Sequence, residues 1–163
     1  MDRRLPQMCH YCGCRQIPLI RDYIAEHERA TDLGGDAVRA LGVGDLATAR
    51  RCVSEMATEL AAHWEGEENG LFRVMRREAE YADYIAPLVE EHRGLAALLA
   101  TVDVTDWTDQ QRIRGAVVEL LEHISKEEDG LFPASLVSLS GRDWDEAMQA
   151  WYAAHPRAEL IVD

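Results

Sequence analysis

Four histidines and two glutamates recur in this chain at spacings that suit metal ligation: His27, His63 with Glu67, His92, and His123 with Glu127. A helix turns once per 3.6 residues or so, and a His followed four places later by a Glu therefore stacks an imidazole and a carboxylate on one face. All six fall within rows of apolar residues spaced by three and four, so folding carries four imidazoles and two carboxylates inward. An unpaired carboxylate buried there costs several kcal/mol, and no Lys or Arg stands in those rows to offset it. Two metal cations, each taking two imidazoles and sharing both carboxylates, would neutralise the glutamates and satisfy all six side chains. Imidazole and carboxylate also serve zinc and manganese, but a bridged octahedral pair suits iron better than tetrahedral zinc. One His on an apolar row is ordinarily a core residue. That reading does not explain four of the six histidines on four separate rows, two of them with a Glu one turn later.

The rows themselves define the elements that position these groups. Ile20, Ile24, His27, Thr31, Val38 and Leu41 mark a first helix. Val43-Gly44-Asp45 reads as a turn with Asp45 as N-cap, followed by Leu46, Ala49, Val53, Met56, Leu60, His63, Glu67 and Leu71 as one continuous stripe. Ile85, Leu88, His92, Leu95, Leu99 and Val102 mark the third helix. The fourth starts near Thr105 or Asp106 and carries Ile113, Ala116, Leu120, His123, Glu127 and Leu131. Short connections between them predict an all-α, up-down-up-down four-helix bundle. A short extra C-terminal helix is expected from Asp143, capped by that carboxylate with Glu146 three residues on, and packing Trp144, Met148, Trp151 and Tyr152 against the outside of the bundle. The chain also repeats internally. His63–Phe72 and His123–Phe132 share the pattern HxxxEExGLF, and Glu26-His27 matches Glu91-His92, so helices one and two map onto three and four. The expected pairing groups His27 with His63 and His92 with His123, although a crossed pairing is also open.

Other residues are candidates for lesser roles. Tyr23 lies one turn before His27, and Glu59 and Glu119 lie one turn before His63 and His123; each is a candidate orienter of a ligand or an additional ligand, or simply a residue flanking the stripe. Cys9, His10, Cys12 and Cys14 precede the first helix with CxxCxC spacing, which admits a small zinc site, a redox pair, or an unmetallated packed turn. Cys52 reads as a helix-surface or flanking residue without a special role.

The pattern H…HxxxE…H…HxxxE, with EH on the odd helices and HxxxEExxLF on the even ones, resembles the hemerythrin HHE cation-binding family, and in particular its four-His, two-Glu branch seen in bacterial hemerythrin-like proteins. The resemblance covers roughly residues 17 to 135. It implies an up-down bundle, a non-haem di-iron centre with an oxo or hydroxo bridge, and binding or reaction of O2, peroxide or NO. The oxygen-carrying members place HxxxH on the third helix, whereas here His92 is followed by Ala96, which leaves positions open on both irons.

Composition bounds the remaining possibilities. At 163 residues the chain is read as one domain, with a cysteine-rich segment 9–14, the bundle, and a C-terminal helix over about 143–154. A formal net charge of -13 excludes nucleic acid and anionic membrane surfaces as expected partners. No apolar run approaches a membrane span, and cytoplasmic residence is expected. Three classes of function stay open: an enzyme acting on peroxide or NO, a module that stores or senses O2, NO or iron, and an interaction protein with structural metals. The expected small partner is a diatomic ligand or peroxide; no protein partner is indicated.

Overall fold

The computed structural model describes residues 13–156 and is all-helical over them. A 3-10 turn, Cys14–Gln16, leads into α1 (Ile20–Val43), α2 (Leu46–Asn69), the short α3 (Leu71–Met75), α4 (Ala79–Thr101), α5 (Trp107–Lys126), a π-helical segment Glu127–Leu131, α6 (Phe132–Ser138) and α7 (Gly141–Ala154). α1 packs along α2, α2 against α4, α4 against α5 and α5 back against α1, closing a four-helix ring. The starts follow local chemistry. Asp45 accepts from the Thr48 N–H at 3.1 Å and Asp106 from the Asp109 N–H at 3.0 Å, each satisfying an otherwise orphaned helix donor.

The buried faces follow most of the expected stripes, with Leu46 and Val102 only half-buried at the helix ends and three further corrections. On α1 the core face runs through Ala30, Gly34, Ala37 and Ala40, while Thr31 and Val38 are only half-buried. A Cβ on Gly34 would come within 3.0 Å of Val117, so small residues there let α1 and α5 approach closely. Cys52 is a core residue, 1% exposed, and not a flanking one, because its row packs with Val53 and Met56. On α4 the stripe passes through Leu95, which leaves Ala96 exposed and outside the buried slab.

The two copies of HxxxEExGLF share a sequence but not a backbone. α2 breaks at Gly70 into α3, whereas the second copy continues from α5 through the π segment into α6. Pro133 has no N–H, and its ring would crowd the carbonyl four residues back in a regular helix; widening to π spacing, with the Phe132 N–H reaching Glu127 O, relieves both demands.

The last helix starts earlier than Asp143. Ser140 is its N-cap, and Asp143 is the reciprocal partner of a capping box, accepting from the Ser140 N–H at 2.9 Å. α7 packs on α2 and α3 with Ala147 and Trp151 buried, Trp144 and Met148 half-buried and Tyr152 outward. Gly70 permits this contact: a Cβ there would sit 2.6 Å from Gly66 O and 2.9 Å from Ala147 O. No helix of the described residues is long and apolar enough to cross a membrane.

Candidate metal centre

One slab of the bundle gathers all six residues singled out by spacing. His27 comes from α1, His63 and Glu67 from α2, His92 from α4, His123 from α5 and Glu127 from the π segment, and none is more than 2% exposed. Their Nε2 atoms meet in two pairs, His27 with His63 at 3.0 Å and His92 with His123 at 2.9 Å. Glu127 stands between the pairs, with Oε2 3.1 Å from His27 Nε2 and Oε1 2.9 Å from His123 Nε2. Glu67 Oε2 lies 3.3 Å from His63 Nε2 and 3.7 Å from His92 Nε2. Ligand atoms of His27, His63, Glu67 and Glu127 form one compact group, and those of His92, His123 and Glu127 a second.

Behind the imidazoles lies a ring of carboxylates. His63 Nδ1 donates to Glu26 at 2.7 Å, His92 Nδ1 to Glu68 at 2.8 Å, His123 Nδ1 to Glu91 at 2.7 Å and His27 Nδ1 to Glu128 at 2.9 Å. Each segment of the ring thus hands a carboxylate to the imidazole of the next, from α1 to α2, α2 to α4, α4 to α5, and from the π segment back to α1. An ionised carboxylate only accepts, so each Nδ1 carries a proton and each Nε2 is left facing inward as the atom that could ligate a metal. Phe72 stacks on His92 at 5.6 Å and Phe132 on His27 at 5.9 Å, fixing the ring planes.

The inward surface is thereby built of atoms that could ligate a metal. Both carboxylate oxygens of Glu67 and of Glu127 are buried without a hydrogen bond. With nothing positive among them, protons must serve. Burial pushes the Glu67 carboxyl well above its usual range, and the Glu127 charge adds to this. Burial would raise Glu127 too, but contacts from His123, His27 and His92 hold it well below. Burial opposes charge on His27 as well, yet Glu127 and Glu128 raise it to about 9. Burial and the neighbouring His27 push His63 well below the usual histidine value. Metal cations resolve this more completely than shared protons. Two facing imidazole pairs beside two buried carboxylates offer the nitrogen and oxygen donors that a pair of metal ions would take. The cluster fits a di-iron site.

The flanking candidates separate. Tyr23 is fully buried against the centre, its ring edge-on to His63 at 5.5 Å and stacked on Phe132 at 5.8 Å. Its hydroxyl makes no hydrogen bond of ordinary geometry, and burial, with Glu67, Glu26 and Glu127, pushes its pKa well up against a small opposing pull from the Leu71 backbone. Glu59 turns away to Arg29, 2.6 Å from it, and Glu119 is exposed at the edge of a groove between α4 and α5. Neither reaches the imidazole one turn along its own helix, because the residues that do so project from the neighbouring helix. The four orienting glutamates are instead the acidic halves of the EH and EE dipeptides, Glu26, Glu91, Glu68 and Glu128. The repetition of both dipeptides was the available signal. Cys9, His10 and Cys12 lie outside the described residues, and Cys14 opens the 3-10 turn, half-buried.

The outer surroundings are not symmetric. Arg15 pairs with Glu128. Trp151 Nε1 donates to Glu26 Oε1 at 3.1 Å, and His155 Nε2 lies 2.6 Å from the same oxygen. Glu26 is 1% exposed, and burial lifts its pKa to about 7 against the pull of His155 and Arg29. On the other side Lys126 pairs with Glu91, whose side chain is 34% exposed, and Glu68 is 32% exposed.

A family described as the Hemerythrin HHE cation binding domain matches residues 19–135 of the chain. That span contains the six inner residues and the four orienting glutamates and ends before α7. Neither a curated protein nor a solved structure matches the chain.

Proposed function

We propose that this chain, which belongs to the hemerythrin HHE cation-binding family, uses the buried cluster to hold two irons and there binds or turns over O2, peroxide or NO. The carrying observation is the two facing Nε2 pairs at 3.0 and 2.9 Å with four orphaned carboxylate oxygens beside them. His27, His63, Glu67 and Glu127 would hold one ion, and His92, His123 and Glu127, with Glu67 alongside, the other. Bound irons would supply Lewis acidity and one-electron chemistry in a pocket too buried for large substrates. The protein's share is orientation and proton control. Glu26, Glu68, Glu91 and Glu128 accept the Nδ1 protons and so raise the basicity of each Nε2. Tyr23 keeps its proton on a buried hydroxyl that makes no hydrogen bond of ordinary geometry, which leaves it available to donate to a small ligand beside the His27 and His63 half.

The test is metal analysis of the purified protein followed by ultraviolet-visible titration with NO, O2 and peroxide, with oxygen evolution followed in the peroxide arm. About two irons per chain and a spectral response to at least one of the three are expected. A chain that takes up less than one iron, or a loaded protein inert to all three, would refute the reading.

A further inference from the structure

The repeat makes the inner cluster twofold, yet α7 touches only one side of it. α7 lies beyond the family-matched span, and nothing in the bundle's pattern requires it. Its C-terminal end nevertheless reaches the ring. Trp151 Nε1 and His155 Nε2 converge on one oxygen of Glu26, at 3.1 and 2.6 Å, while the other oxygen holds His63 Nδ1 at 2.7 Å. The His155 ring is itself fixed, stacked on Trp151 at 4.4 Å with Nδ1 2.8 Å from Trp151 O. Gly70 allows α7 to sit this close to α2, since a Cβ there would meet Ala147 O at 2.9 Å. The equivalent carboxylate, Glu91, has only the flexible Lys126 and solvent behind it. A carboxylate locked at both oxygens cannot rotate away from its imidazole, whereas a half-exposed one exchanges partners with water.

We infer that Trp151 and His155 are positioning residues that lock Glu26 onto His63, so that the ion at His27 and His63 is retained while the ion at His92 and His123 leaves first. The inference rests on the two-iron reading above. The inner donors point the same way, since the first group gathers four ligand residues and the second three.

Iron release from the loaded full-length protein into excess chelator tests it. The wild type should release its irons in two phases of equal amplitude and different rate. Trp151→Phe keeps the ring and removes the donor; His155→Leu removes the second contact. Each should accelerate the slow phase about tenfold, the lower end of what disrupting an outer-shell partner costs, and leave the fast phase unchanged. His155→Gln, which still offers an N–H, should restore most of the slow phase. Lys126→Met should alter only the fast phase. Mössbauer spectra of the 57Fe protein should show two inequivalent irons, with Trp151→Phe moving one. Trp144→Ala removes packing near the start of α7, away from the end that carries Trp151 and His155, and controls for lost stability. A chain that never binds two irons defeats the two-iron reading itself. Two irons released at one rate, a slow phase insensitive to Trp151→Phe and His155→Leu, or equal acceleration by Trp144→Ala overturns the inference alone.

Discussion

The two halves of the centre share the inner ligands, the orienting glutamates and a stacked phenylalanine, and differ in what holds those glutamates from outside. Around His27 and His63 stand Tyr23, the buried Glu26 fixed by α7, and Glu128 held by Arg15. Around His92 and His123 the same positions carry Leu88 in place of Tyr23, a Glu91 open to solvent, and a half-exposed Glu68. A groove of about 210 Å³, lined by Glu91, Leu95, Glu119, Glu122 and Lys126, adjoins the second half. Duplicated residues thus supply the binding chemistry twice, while segments from the two ends of the chain bias it. The outer glutamates of one half are the more deeply buried, and those of the other are partly open to solvent.

The largest effect should come from the shared carboxylate. Glu127 belongs to both ligand groups and Glu67 to one, so Glu127→Ala should drop iron from about two per chain to well below one, and Glu67→Ala should spare more. Plasma mass spectrometry on protein normalised by absorbance checks this, and equal losses from both variants would break the ordering. Next, Glu26→Gln and Glu91→Gln should each weaken metal binding within the range of about 10–100-fold. The loss should be larger for Glu26, because water can replace Glu91 but not a residue 1% exposed. Competition against a fluorescent chelator measures both.

Those two variants also show what was legible in the sequence. The six inner residues were readable because a His and a Glu four apart on an apolar row leave few alternatives. The orienting glutamates were visible only as repeated dipeptides, since each serves an imidazole on another helix and no spacing within one helix encodes that. Glu59 and Glu119 lay on the correct helix one turn away and faced outward. The grip of Trp151 on Glu26 crosses 125 positions and has no periodic signature. Likewise, the π segment follows from Pro133 acting on a stretch whose other copy simply breaks.

Smaller effects sharpen the comparison further. Against the opposing effect of burial, Glu127 and Glu128 raise His27 to about 9, so in the metal-free protein it carries a proton at neutral pH that a cation must displace. Apparent affinity should therefore rise between pH 7 and 9, about tenfold per unit for each proton displaced. Proton release on loading, followed in weakly buffered solution, should approach one per chain from His27 near pH 7; none at all would show that this imidazole is already deprotonated. Gly70→Ala should lower stability by about 1–3 kcal/mol by overfilling the contact between α2 and α7, and calorimetry should register a lower Tm. Smallest of all, removing residues 1–12 should leave iron content unchanged, since the ten cluster residues all follow them.

The ring of carboxylates has a consequence for ancestry. Cut between α3 and α4, each half retains two imidazoles, receives one carboxylate from within itself and one from the other half: Glu26 serves His63 and Glu91 serves His123 internally, while Glu68 and Glu128 cross over. Two copies of a single hairpin bearing EH on one arm and HxxxEE on the other would close the same circuit about a twofold axis with no residue missing. The present chain has the organisation of such a homodimer joined into one polypeptide, an arrangement in which the residues around the two histidine pairs need not be identical.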